Sequence, residues 1–531
     1  MNRKLLVLPA LLGLAAPVLA GCGDSTGGGG GGDAIVIGST DPLEVSADQP
    51  SPLDPATAYD GGTYSFLNNT FQMLLGYTRS STTPEPDAAK SCTFSDTKSE
   101  TYRCTLRDNL KFANGHALTS EDVKFSVDRV LKINSDIGPA SLLVNIDSVE
   151  APDPKTVVFH LKTSDATFPY KLATPAAAIV DSEVYSATEP LKGLKMEGSG
   201  PYKLDSWQDG KAVLSANPNY TGLIGKRNNE KVEVHFFPSA AEMMKALAAG
   251  DVDLVNRTLE SDQINKIEQG TVENVKLTET PGLAARYMFF NVEDSSVKDK
   301  AVREAIARLV DRDSLTRDVT GRTATPLFGA VPTGITGHTN AYFNAYGEPN
   351  RDKAAEVLSD AGISTPVKFT WTYPTEHPST PDKEEAENLK KQLEATGLFD
   401  VSLQPITWKK FLKGAATGQF AAYSLSWLPD FPDAETYIAP FFADDGFLDL
   451  NYKGETIKNQ LLPATRRSAD RGKTDKDFGQ MQEILSQDLP MIPLYQDKQF
   501  VASRDGITGA EWFLNSSSSA QFWEIGRGVT G

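Results

Sequence analysis

Apolar residues recur along this chain at two periods, and the switches between those periods divide it into strands and helices. Both appear in succession between Thr101 and Arg129. Tyr102, Cys104 and Leu106 alternate with polar neighbours, as a half-buried strand requires. Asn114-Gly115 then marks a turn. Thr119 is placed to N-cap a helix whose first turn carries Glu121 and Asp122 at its positive end, with Val123, Val127 and Val130 on one face. Residues 35–38, 156–161, 232–236 and 421–425 read as further strands. Residues 64–75 read as a helix, because Phe66, Leu67, Phe71 and Leu74 fall near helical spacing. Another helix carries Met243, Met244 and Leu247 and stops at Gly250. A third, over 299–312, lines up Val302, Ala305, Ile306 and Leu309. Residues 350–362 form a short helix with an N-cap asparagine and a closing glycine, and 384–397 another with Leu389 and Leu393 one turn apart. Mixed signals of this kind predict an α/β fold. A chain of 531 residues exceeds one core, so two or three domains are expected.

The N-terminus adds a destination. Arg3 and Lys4 precede an apolar run over residues 5–18, too short to cross a bilayer but suited to a secretory signal. Leu19-Ala20-Gly21-Cys22 resembles a bacterial lipobox, which implies cleavage before Cys22 and a diacylglycerol on its sulfur. Lasting attachment takes at least two acyl chains, at about 0.8 kcal/mol per buried methylene. The glycine-rich stretch that follows has nothing to bury and reads as a tether. No later segment offers the roughly 18 uninterrupted apolar residues of a membrane helix. With Cys22 committed to lipid, Cys92 and Cys104 remain as an even pair in an oxidising space. If Thr97-Lys98-Ser99 is a hairpin tip, Cys92 faces Cys104 and Phe94 faces Tyr102; a disulfide there stabilises by about 3 kcal/mol in the chain-entropy account. The formal net charge of −18 opposes nucleic-acid binding, which needs a basic surface.

The wording of residues 101–129 resembles the block "YTFxLRxxxKFxxGxxxTAxDVxxSxxR" of the family 5 extracellular solute-binding proteins that deliver peptides to ABC importers. Gly198-Ser-Gly-Pro-Tyr-Lys-Leu204 is similar to that family's "GTGPYxL", and Asn217-Pro-Asn-Tyr220 to its "NPxY". Gly250-Asp-Val-Asp253, the run from Tyr287 to Asn291 and the helix over 299–312 continue the likeness in order, through to Pro490-Met-Ile-Pro493. The resemblance implies a two-lobe, Venus-flytrap fold with an extra domain inserted in the first lobe. It divides the chain into a signal peptide (1–21), a lipidated Cys and tether (22–32), lobe I (33–75, 190–287 and 495–531), an additional domain of lobe I (76–189) and lobe II (288–494). Crossings near residues 287 and 495 would then form a hinge about which the lobes close on a ligand.

It also implies where the ligand sits. Leu425-Ser-Trp-Leu-Pro-Asp430-Phe-Pro-Asp433 is similar to the family's "W-x-x-D" loop, whose aspartate binds a peptide's α-ammonium. A buried ammonium requires an opposite charge, and a charge-assisted hydrogen bond is about twice as strong as a neutral one. Asp430 is therefore the first candidate, Trp427 the apolar or cation–π wall beside it, and Asp433 a further carboxylate. Tyr59, Asp60 and Gly61 resemble a cleft-lining stretch of the opposite lobe. Each has an ordinary alternative, since loop aspartates cap turns and tryptophans fill cores. The same holds for Tyr287, where core packing is favoured. The Leu428-Pro429 pair departs from the family pattern by a stiffening proline. A ligand carboxylate calls for an arginine, Arg286 among several, and no spacing singles one out.

Catalysis is not expected. Five histidines stand apart at 116, 160, 235, 338 and 377, without a His-Glu-x-x-His pair, and there is no Gly-x-Ser-x-Gly elbow. Gly472-Lys-Thr474 imitates the end of a phosphate loop, but Arg467 stands where its first glycine belongs. No cofactor and no structural metal are expected. The partners implied are short peptides, an ABC permease and a membrane reached through the lipid, with the protein a monomer. The alternative keeps the fold and role but changes the ligand to a metal chelate, with His377 as a conceivable ligand, or to an oligosaccharide or opine.

Overall fold

The computed structural model describes residues 34–528 apart from 42, 258, 376–380 and 445. The signal segment, Cys22, the tether and His377 lie outside the described residues. Two long strands, Val275–Phe290 and Met491–Arg504, pair antiparallel along most of their length and carry the rest of the architecture. On one side Val275–Phe290 is followed in the sheet by Ala422–Trp427, Val367–Pro374 and Phe399–Ile406, these three mutually parallel. On the other, Met491–Arg504 is followed by Leu254–Asn256, Ile35–Ser39, Lys231–Phe236, Lys211–Ala216 and Tyr202–Gln208. The register of the long pair breaks between Pro281 and Ala285 and again between Arg286 and Tyr287. The result is the two-lobe fold, with two crossing strands at the waist.

The crossing strands are covered on both faces, so their sequence is nearly continuous in apolar residues. Met288 and Phe290 enter one cluster with Ile492, Leu494 and Trp371, while Tyr287 and Phe289 enter another with Tyr423, Phe441 and Met491. Tyr287, a candidate ligand contact, is thus fully buried core, and its hydroxyl donates to the Ala330 carbonyl at 2.6 Å.

A separate four-stranded sheet orders Ala89–Phe94, Thr101–Leu106, Thr156–Leu161 and Ile146–Asp153. Its first hairpin has the register that alternation demands: Cys92 opposite Cys104, bonded, and Phe94 opposite Tyr102. Helix Ser120–Ile133 packs Val123, Val127 and Val130 onto it, with the Thr119 N–H held by the Asp122 carboxylate at 2.9 Å. Arg129 is buried in a two-pronged pair with Asp54, at 2.8 and 2.6 Å.

Two helices differ from their sequence pattern. The one expected over 64–75 spans Gly61–Thr70. Asp60 starts it early by accepting from the Thr63 N–H, and it stops where Asn69 turns its amide to the Ser65 and Ala520 carbonyls and Phe71 becomes extended. Gly198 and Gly200 lie against that stop. A Cβ on Gly198 would come within 2.2 Å of the Thr70 carbonyl oxygen, which gives the Gly-Ser-Gly-Pro motif its physical reason. The helix expected over 299–312 ends at Ala307, and Asp311 caps a new turn by accepting from the Ser314 N–H.

Candidate functional site

A cavity of about 330 Å³ opens between the start of helix Gly61–Thr70 and the loop that follows strand Ala422–Trp427. One wall is the start of helix Gly61–Thr70, with Tyr59, Asp60, Gly61, Tyr64 and Asn68 on the cavity side. Ala173–Pro175 and the polar run at Asn515, Ser517 and Ser519 extend that wall. The facing wall is the loop Trp427–Asp430, which leaves strand Ala422–Trp427. Five of the residues singled out in the sequence therefore meet in one place: Tyr59, Asp60, Gly61, Trp427 and Asp430.

The charge in this cavity is Asp430. Tyr59 donates its hydroxyl to Asp430 Oδ1 at 2.5 Å, across the two walls. No basic group among the described residues pairs with Asp430 within salt-bridge distance. Lys171 acts on it only at longer range, its ammonium being paired with Asp165 at 2.7 Å. Burial pushes the Asp430 carboxyl above its ordinary value, with the Tyr59 hydrogen bond and Lys171 opposing. The Tyr59 hydroxyl is held well above the usual phenol range by burial and by the carboxylate it touches. A carboxylate that is partly desolvated and lacks a counter-charge is a receptor for a cation.

The other groups divide into anchors and open donors. Trp427 gives its indole N–H to the Thr436 carbonyl at 2.7 Å and packs edge-on to Phe441, so it offers a ring and no hydrogen bond. Asp60 is committed to its cap, accepting from Thr63 N–H and Oγ1 at 2.9 and 2.7 Å. By contrast, the Tyr64, Tyr77 and Ser517 side chains line the cavity, and their hydroxyls are buried without a hydrogen-bond partner among the described residues. Buried polar atoms seek partners, and here the cavity is where those partners can come from.

Two candidates lie elsewhere. Asp433 is buried beneath the loop, where both its oxygens accept from Arg471 at 2.8 and 2.7 Å, and it caps the turn Ala434–Tyr437. Tyr287 is core, as described above. Arg286, considered for a ligand carboxylate, is buried between Asp382 at 2.6 Å and Glu385 at 2.9 Å, with no charge to spare. Tyr64, Asn68 and Tyr77 were not singled out in the sequence. The stripe of 61, 64 and 68 along one helix face would have pointed to the first two, had the helix been started at Asp60. Nothing local marks Asn515–Ser519, whose place depends on how the C-terminal segment returns. Among the described residues no group of three or more His, Cys, Asp or Glu is arranged to hold a metal ion, and no helix is long and apolar enough to cross a membrane.

A two-lobe α/β body whose walls meet over a carboxylate-bearing cavity defines a solute-binding protein. The family described as "Bacterial extracellular solute-binding proteins, family 5 Middle" matches residues 83–449, and the chain belongs to that family, whose members are binding proteins of transport systems. It is 28% identical over 495 residues to the probable D,D-dipeptide-binding periplasmic protein DdpA of Escherichia coli K12, covering 90% of this chain and 91% of that one. It is 24% identical to the dipeptide-binding protein DppE of Bacillus subtilis, covering 87% of each. Among solved structures, HbpA2 from Haemophilus parasuis superposes with a TM-score of 0.82 at 21% identity, over 93% of this chain and all of that one.

Proposed function

We propose that this protein is the receptor of an ABC importer and captures short peptides with a free amino terminus between its two lobes. The observation that carries this reading is Asp430, a partly buried carboxylate that lines a cavity, is steadied by Tyr59 and has no cationic partner among the described residues. An α-ammonium supplies the missing charge, and Trp427 supplies a flat wall beside it. The unpartnered Tyr64, Tyr77 and Ser517 hydroxyls suit the peptide's backbone groups. Main-chain hydrogen bonding of that kind gives affinity without fixing the side chains. The names of two relatives, the probable D,D-dipeptide-binding periplasmic protein DdpA and the dipeptide-binding protein DppE, support the same reading.

In this reading residues 33–75, 190–287 and 495–531 with the inserted 76–189 form one lobe, and 288–494 the other. The crossing strands are the hinge. The protein acts as a monomer, tethered outside the cell membrane through lipid on Cys22, and the closed form is delivered to a permease.

A calorimetric screen of the mature domain, unfolded and refolded to strip carried ligand, tests the reading. Dipeptides to pentapeptides with free amines are expected to bind, and their N-acetylated forms to bind far more weakly. Binding of a metal chelate or an oligosaccharide with all peptides silent would overturn it.

A further inference from the structure

The Asp430 cavity has a neighbour. Leu428, which lines it, also lines a second cavity of about 240 Å³, and Asp497 on the crossing strand Met491–Arg504 lines that one too. Asp497 further lines a third cavity, of about 620 Å³. Its carboxyl is desolvated by its surroundings, yet among the described residues it has no hydrogen bond and no ion pair. The cations nearby are committed elsewhere. Lys498 gives its ammonium to Glu279 at 3.0 Å, and Arg257 its Nε to Asp41 at 2.9 Å. Arg286, whose charge does reach Asp497, is already held by Asp382 at 2.6 Å and Glu385 at 2.9 Å. One guanidinium thus faces three carboxylates, and the excess negative charge lies on the one that borders open space. A buried carboxylate left in that condition favours a cation from outside.

We propose that Asp497 is a second cation site, which takes the head of a basic side chain, so that the ligands are short peptides with lysine or arginine at the second or third position. This rests on the peptide reading above and narrows it to a substrate class. The walls suit such a side chain: Leu259, Leu283, Leu428, Phe500 and Leu514 line the 240 Å³ cavity, apolar surface for a methylene stem whose charged end reaches the carboxylate. The sheet sets the span. Ala285 pairs with Trp427 on one side and with Gln496 on the other, so those two lie two strand spacings apart, about 10 Å. Leu428 and Asp497 are the next residue along each, and Asp430 comes two residues later, at most roughly 7 Å further. A peptide whose first ammonium sits on Asp430 advances about 3.3–3.6 Å per residue, and a long side chain on its second or third residue covers what remains.

The test compares Ala-Lys-Ala and Ala-Ala-Lys with the same peptides acetylated on the lysine side chain, and with trialanine, all with both termini free. Calorimetry on the native protein is expected to show at least one lysine peptide preferred over its side-chain-acetylated form by about tenfold or more, the worth of a charged hydrogen bond. Asp497→Asn is expected to bring that ratio within about twofold and to leave trialanine binding within about twofold of the native value. Asp497→Ser is read in the same way if the asparagine variant does not fold. Equal affinities for the lysine and acetyl-lysine peptides in the native protein overturn the proposal while leaving peptide binding intact. So does a preference that survives the substitution, or an equal loss for every peptide, trialanine included, which would mark Asp497 as structural. Silence of every peptide overturns the peptide reading, and this proposal with it.

Discussion

The ring of Phe431 lies 5.8 Å from that of Tyr170, tilted by 37°. Phe431 follows Asp430 in the loop that faces helix Gly61–Thr70, yet it is buried in the same apolar cluster as Phe159, Phe168 and Leu172 of the four-stranded unit. Backbone contacts run alongside: the Ala166 N–H donates to the Arg466 carbonyl at 2.8 Å, and the Ser99 hydroxyl to that of Arg467 at 3.1 Å. The residue next to Asp430 thus packs into the apolar cluster of the four-stranded unit and ties the loop to it.

Phe431→Ala follows directly. Truncating a buried phenylalanine costs about 3–5 kcal/mol where the site is fully packed. If that loss falls on the closed form, peptide affinity drops by at least about tenfold while the melting temperature of the free protein changes little. Calorimetry and thermal melting on the same samples separate these effects. A large fall in melting temperature with unchanged affinity would make Phe431 ordinary core.

Asp497 predicts a pH response. It sits on the crossing strand Met491–Arg504 and lines two cavities. Burial pushes its carboxyl up to about 6, with Arg286 opposing and Glu385 adding to the shift. Tyr495, hydrogen-bonded to Glu385 at 2.7 Å, and Asp382 complete this charged cluster, with Lys498 next in sequence. Because the folded state holds the proton more tightly than the unfolded chain, this residue makes stability rise as pH falls through about 6, until the unfolded carboxyl also protonates. Asp497→Asn is expected to flatten that slope in melting curves between about pH 7.5 and 5. A slope identical to that of the native protein would contradict the assignment.

Much of this was legible in the sequence, and the division has a physical basis. Period-2 alternation around Tyr102, Cys104 and Leu106 set the hairpin and its register, because one face is wet and the other dry. The caps at Thr119 and Asn350 are local chemistry and could be read locally. The Trp427–Asp430 loop stood out through its likeness to a family motif, and it forms a wall of the cavity. What the sequence withheld was long-range pairing. Whether Arg286 serves a ligand or Glu385, 99 residues away, depends on how the sheet brings strand and helix together. Asp433, the weaker candidate in the same loop, is committed to Arg471, 38 residues further on, which nothing local announces.

The disulfide supplies a further check. Cys92 and Cys104 are bonded across the hairpin with a sequence separation of 12, a loop short enough that the chain-entropy account gives about 3 kcal/mol. Cys92→Ala combined with Cys104→Ala is expected to lower the denaturation midpoint by an amount of that order, and reducing agent to do the same to the native protein only. Equal sensitivity of both proteins to reducing agent would contradict the bond's role.

The central claim is that Asp430 binds a ligand ammonium, and Asp430→Asn tests it most directly. Calorimetry would compare a free-amine peptide with its N-acetylated form on both proteins. The account predicts that the native protein prefers the free amine by roughly 10- to 100-fold and that the variant loses this preference. The variant should also melt no lower than the native protein, since burial already disfavours the ionised carboxyl. Equal losses for both peptides, or a preference that survives the substitution, would contradict it.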